Sequence, residues 1–213
     1  MRIGALTFAL SAVIIFTCLL LNQSCKDCRK SDVGYFTPNE MYKYIFRDTS
    51  TWIYLNTTDS TYDTVMLHSL REVAEPLDFG DADCPQKVCM AYYMNMHSSY
   101  TNSEYTFCVK DSGLREITTG LLGWPGTEIF HFFKDVGDST SSVRYVAYYT
   151  GLNIAGNLTY FIKKVELMQA TSTFPVHTYL YWAPQTGIVR KEIVDSNGSI
   201  IVWNLVQEKI TYY

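Results

Sequence analysis

The residues able to do chemistry in this chain are six cysteines, four histidines and twenty-one acidic side chains. Zinc needs thiolate or imidazole ligands at close spacing, and Cys84 with Cys89 and one histidine comes nearest to that. A C-x4-C pair with no second close pair favours disulfides over a metal. His68, His97, His131 and His177 are scattered through predicted strands and a turn, where packing accounts for them. Asp78, Asp81 and Asp83 crowd one short loop without the glycine and closing glutamate of a calcium loop, so a solvated turn is expected. Residues 120–126 (GLLGWPG) match no phosphate-binding pattern. Trp124 on that loop is a candidate to stack on a sugar or fill a partner's pocket, the plainer outcome being that it covers the end of a barrel. Tyr181 and Trp182 are the other candidate ligand or partner contacts. No G-x-S-x-G elbow, protease cysteine or cofactor fingerprint is present, so a non-catalytic protein without cofactor is expected. A glycan hydrolase acting through two carboxylates stays as an alternative, because a sequence does not measure their separation.

Position along the chain sets the compartment in which those groups work. Arg2 precedes nineteen uncharged residues, Ile3 to Leu21, the pattern of a secretory signal rather than of a folded element. Lys26, Arg29 and Lys30 follow the run, which opposes an uncleaved anchor with its bulk outside. Cys25, preceded by Ser24 and leucines, resembles a bacterial lipobox. That resemblance implies cleavage before Cys25, diacylation of its thiol and attachment to a membrane through lipid. Asn22 departs from the motif, which usually has an aliphatic residue there. Removing residues 1–24 leaves 189 residues with sixteen basic and twenty-one acidic side chains. A mildly acidic chain does not suit a nucleic-acid surface.

The elements that must position these groups are strands. The chain is 47% hydrophobic and 18% charged, with seventeen tyrosines, a composition that excludes disorder and favours β structure. Short β-branched and aromatic runs are predicted as strands near 51–56, 62–69, 87–97, 103–110, 127–133, 142–150, 157–168, 176–183, 187–194 and 199–212. Residues 38–46 are the one place for a short helix. An all-β or mainly β antiparallel meander follows, as a curved sheet, barrel or half-barrel. Its expected segments are a signal (1–24), a lipidated tether (25–37) and one β domain (38–213).

Two hairpins carry detailed expectations. Pairing Val88 with Val109, Met90 with Phe107 and Tyr92 with Tyr105 puts six large side chains on one face. The same register sets Cys89 opposite Cys108, where a disulfide would close a loop of about twenty residues and contribute about 3 kcal/mol. Cys28 and Cys84 are then left as a second pair. The other hairpin turns at Asn197-Gly198, for which a type I′ turn with positive φ at both residues is expected.

Trp52-Ile53-Tyr54 and Asp63-Thr64-Val65, with Tyr181-Trp182-Ala183, Gly187-Ile188-Val189-Arg190-Lys191, Trp203 and Leu205, resemble the opening and closing strands of small β-rich outer-membrane lipoproteins of Bacteroidota. The resemblance covers about a third of the chain, in the signal region and these two ends. It implies an outer-membrane lipoprotein facing the periplasm or the outside. The expected role is a non-catalytic envelope module that meets a protein or glycan partner. A lipocalin-like carrier of a small apolar ligand is the alternative that would need a large cavity inside the barrel.

Overall fold

The computed structural model describes residues 35–36, 39–76, 88–110, 113–117, 127–168 and 177–212. The expected signal, Cys25, Cys28, Cys84, the side chain of Cys89, the Asp78–Asp83 loop and Trp124 lie outside the described residues. The chain divides into two compact units, residues 1–35 with 76–88 and residues 36–75 with 89–213. Nearly all of the first falls outside the described residues, and the features below belong to the second.

The strands are β1 (Tyr35–Phe36), β2 (Thr51–Asn56), β3 (Tyr62–Pro76), β4 (Val88–Ser98), β5 (Ser103–Lys110) and β6 (Gly113–Glu116). They continue with β7 (Thr127–His131), β8 (Val143–Ile154), β9 (Asn157–Leu167), β10 (His177–Ala183), β11 (Gly187–Val194) and β12 (Ile200–Lys209). The only helix among the described residues is a 3-10 turn at Asn39–Tyr44. Alternating burial in β2, with Trp52, Tyr54 and Asn56 inward, is the period of a half-buried strand.

Hydrogen bonding orders the long strands β7-β6-β5-β4-β3-β2-β12-β11-β10-β9-β8. Two meanders therefore meet where β2 pairs with β12, and the sheet rolls into a nearly closed barrel with β7 and β8 as its two edges. Neighbours alternate in direction, so an eleven-strand path leaves β7 and β8 pointing the same way. A hairpin cannot join such strands. The connector 132–142 instead runs back along the seam. There Gly137 N–H donates to the Tyr145 carbonyl at 3.1 Å, and Tyr145 N–H to the Asp138 carbonyl at 3.0 Å. Tyr145 Oη donates to the His131 carbonyl at 2.8 Å and accepts the His131 N–H. Lys163 Nζ donates to the carbonyls of Lys134 at 2.7 Å and Phe132 at 3.3 Å.

Inside, the barrel is filled by large side chains. Tyr44 of the helical turn stacks on Phe132, with ring centroids 5.1 Å apart, and meets Phe130 at 5.0 Å. Phe130 also packs against Trp182 at 5.3 Å. One interior space, between Trp52, Met94, Phe107 and their neighbours, is about 30 Å³. That is roughly the share of one water molecule in the liquid.

Both hairpin expectations are corrected in register or turn type. In β4 and β5, Tyr92 pairs with Val109, Met94 with Phe107 and Met96 with Tyr105, a slip of four residues from the expected pairing. An even slip keeps the same side chains inward, which is why the predicted face survives. The cause is the turn. Ser98 pairs with Ser103, and Asn102 in the loop between them has φ 49°. Asp63 Oδ1 on β3 accepts from Ser98 Oγ at 2.8 Å and from Tyr100 N–H at 3.2 Å, fixing that loop from outside the hairpin. Cys108 consequently faces Tyr93, four residues along β4 from Cys89. The Cys108 thiol is free and buried, and the Cys89 side chain of the expected bridge lies outside the described residues. At the second hairpin only Gly198 has positive φ, at 81°. Asp195 Oδ1 accepts the N–H groups of Asn197 and Ser199, both at 2.8 Å, and the turn closes as a type I turn with a glycine bulge rather than as type I′.

Candidate functional site

Tyr181 and Trp182, expected to meet a ligand or partner, are buried on opposite faces of β10. Trp182 is 2% exposed within the aromatic interior, and its indole N–H finds no partner among the described residues. Tyr181 is 5% exposed on the outer face. There it stacks on Tyr149 at 6.1 Å, lies under Lys164 and Arg190, and donates its hydroxyl hydrogen to Glu192 at 2.9 Å. Lys164 closes the group by donating to Glu192 at 3.0 Å. Next to it on the same face Glu166 is held by Arg144 and His177. Every charge here has a neighbour of opposite sign, so the ladder acts as a strap across β8 to β11.

The motif residues at the two ends of the chain converge inside the barrel. Trp52 Nε1 donates to the Thr186 carbonyl at 2.7 Å and Tyr54 Oη to the Ile188 carbonyl at 2.8 Å. Lys191 Nζ lies 3.8 Å from Asp63 Oδ2, 4.8 Å from the centre of the Tyr54 ring and 5.4 Å from that of Trp203. Burial holds the Lys191 ammonium below its usual pKa, against the pull of Asp63. These contacts tie β2 and β3 to β11 and β12, and their role is closure. Among the described residues no three His, Cys, Asp or Glu side chains gather as metal ligands. His131 sits on the β7 edge, where desolvation lowers its pKa.

An open groove of about 550 Å³ lies between the β8–β9 hairpin tip, the β10–β11 turn and β12. Its size falls in the range of small-molecule sites. The tip reaches it because Ala155 and Gly156, with φ 51° and 88°, form a two-residue turn, and because Phe161 at φ 58° bends β9. On the far wall, β12 shifts register between Leu205 and Gln207, which brings Gln207 and Glu208 into the lining. Leu158, Tyr160 and Phe161 are all more than half exposed, at 58%, 54% and 59%. Asn157, Gln185, Gln207 and Glu208 supply polar groups among them. Partial burial raises the Glu208 carboxyl above the usual glutamate pKa. The lining contains no lysine, arginine or histidine. It therefore offers aromatic faces, amides, hydroxyls and a single carboxylate.

Ala183, Val189 and Leu205 belong to the closing-strand motifs, but nothing in the sequence marked the other groove residues, because three segments far apart in the chain build it. The available signal was charge: Tyr145 to Ile162 carries no charged side chain.

No family model matches the chain, and no curated protein does. Two solved structures are similar to it. One, from Bacteroides fragilis NCTC 9343, is described as an exported protein with a YmcC-like fold (TM-score 0.49, 13% identity, 78% of this chain and 98% of that one). The other, from Parabacteroides distasonis ATCC 8503, is described as a lipoprotein (TM-score 0.46, 12% identity, again 78% and 98%). The likeness is below the level at which a function transfers.

Proposed function

We propose that the protein is a lipid-anchored, non-catalytic module of the cell envelope that binds a neutral glycan in the groove beside the β8–β9 tip. The observation that carries this reading is the groove's lining. Exposed Tyr160 and Phe161 rings suit the apolar faces of sugar rings, and Asn157, Gln185, Gln207 and Glu208 suit hydroxyl groups. Without a cation the groove gives an anionic ligand nothing to pair with. The single carboxylate in the lining favours binding over hydrolysis, which ordinarily uses two. The interior space beside Trp52 and Met94, about 30 Å³, is too small for a carrier's ligand.

Anchoring rests on the sequence, through the apolar run and Cys25. An outer-membrane location is part of the proposal. The intact mass of protein extracted from membranes tests it, expected to begin at Cys25 with acyl chains attached. A chain that retains residues 1–24, or carries no lipid, overturns the anchor. Calorimetric titration with a panel of neutral and acidic oligosaccharides tests the groove. Binding of a neutral member, weakened at least about tenfold by Tyr160→Ala, is expected, a loss of about 1.4 kcal/mol. Binding of acidic members alone, or binding indifferent to Tyr160→Ala, refutes it.

A further inference from the structure

The two halves of the β8 edge are treated differently. Over residues 143–145 the edge is covered by the connector, through Gly137, Asp138 and the Thr140 N–H, which donates to the Val143 carbonyl at 2.8 Å. Beyond the Val146 bulge the strand runs on past the seam. Ile154 and Asn157 flank a two-residue turn and so form a doubly hydrogen-bonded pair with each other. Counting back by twos, Leu152 and Tyr148 also pair inward with β9, while Thr150 has no partner in that register, where Phe161 bends β9. By the same alternation the N–H and C=O groups of Ala147, Tyr149, Gly151 and Asn153 point away from β9, on a strand whose only sheet neighbour among the described residues is β9. Natural sheets protect such an edge with lysine, proline or a covering segment. Among the described residues this stretch has none of the three: it is uncharged, free of proline and mostly exposed.

We propose that this edge pairs antiparallel with β8 of a second copy of the chain, continuing the sheet across a two-fold axis at Thr150. The sequence is self-complementary in that register. Outward-bonding Tyr149 meets Gly151 of the second copy, and Ala147 meets Asn153, so that each exchange joins two free backbone groups. Tyr148 meets Leu152, an apolar pair, and Thr150 meets its own counterpart, a favourable cross-strand pair. The lengths also agree. The free stretch ends at the Ala155-Gly156 turn on one side and at the connector on the other, so two copies fill each other's edges without displacing either. From β8 the glycan groove takes only Ile154, beyond the paired stretch, leaving this edge independent of that reading.

Sedimentation velocity of the full chain in detergent, over a concentration series, tests the proposal with two variants. Thr150 is exposed, so a charge there leaves the fold of each copy intact, which melting curves verify. Wild type is expected to dimerise. Thr150→Lys and Thr150→Glu, each placing like charges opposite one another, are expected to weaken self-association about tenfold or more. Mixing the two variants is expected to restore a dimer containing one copy of each. A wild type that stays monomeric throughout the series overturns the proposal. So does a dimer that Thr150→Lys leaves unchanged, because it would use another surface.

Discussion

A thiol on the outer face of a barrel would ordinarily be open to oxidants, yet Cys108 is only 5% exposed. Tyr93 lies across from it, Arg71 covers the Tyr93 ring at 5.0 Å, and Glu75 accepts from both Tyr93 and Lys110. Burial pushes the Cys108 thiol up to about 11. Because the thiolate is the reactive form, native Cys108 is expected to resist alkylation in mildly alkaline buffer and to react quickly once denaturant unfolds the barrel. Mass mapping of iodoacetamide-labelled peptides checks this, and rapid native labelling at Cys108 contradicts it. Burial shifts Glu208 in the same direction. Its carboxyl pKa is raised in the folded state, so the native chain holds that proton more tightly than the unfolded one. The stabilisation is therefore complete below the ordinary glutamate value of 4.5 and is lost as pH rises through the raised value. Glu208→Gln is expected to raise the melting temperature at about pH 7, with the gain vanishing toward about pH 4. A gain equal at both pH values would show that charge is not the cause.

At the scale of elements, alternation and turn residues locate nearly every long strand. What they miss is instructive. Strand β6, Gly113–Glu116, has four residues and no polar-apolar alternation, with Gly113, Leu114 and Glu116 buried. Its pairing with β5 and β7 makes it a strand, and that partnership is non-local. The four-residue slip of β4 on β5 has the same origin, since Asp63 from β3 selects the turn. Turn residues themselves are legible, but their geometry is only partly so. Asn197-Gly198 marks the hairpin correctly while Asp195, two residues earlier, decides its type. Two glycines separate the reasons glycine is used. A Cβ at Gly198 would meet nothing within 4 Å, but its φ of 81° is unfavourable for other residues, so Gly198→Ala is expected to cost about 1 kcal/mol. A Cβ at Gly113 would lie 2.7 Å from the Phe130 carbonyl oxygen, and Gly113→Ala must push β6 off β7, costing about 2 to 3 kcal/mol. Denaturant melts that rank the two the other way would contradict both assignments.

For the barrel as a whole, the odd strand count has a consequence that no single element shows. Parallel β7 and β8 do not pair with each other, so the seam between them is crossed by the connector's backbone bonds and by side chains. The end motifs made the β2–β12 closure legible in part, because Trp52, Tyr54 and Asp63 come from one end and Lys191 and Trp203 from the other. Nothing local marked Lys163 as the opposite closure. Its partners are main-chain carbonyls, which any sequence supplies. Lys163 Nζ bonds two of them, at Phe132 and Lys134, and has Asp135 Oδ1 at 3.3 Å. Lys163→Met keeps most of the aliphatic stem while removing the donor, so packing is largely retained. Losing charge-assisted bonds to partly buried carbonyls is expected to destabilise the chain by about 2 kcal/mol. The location of the effect matters more than its size. If Lys163 closes the seam, amide hydrogen exchange rises first at Gly137 and Tyr145, whose bonds cross it, while β2 and β12 keep their protection. If exchange instead rises equally in β2 and β12, the barrel opens as one unit and the seam is not its weak line.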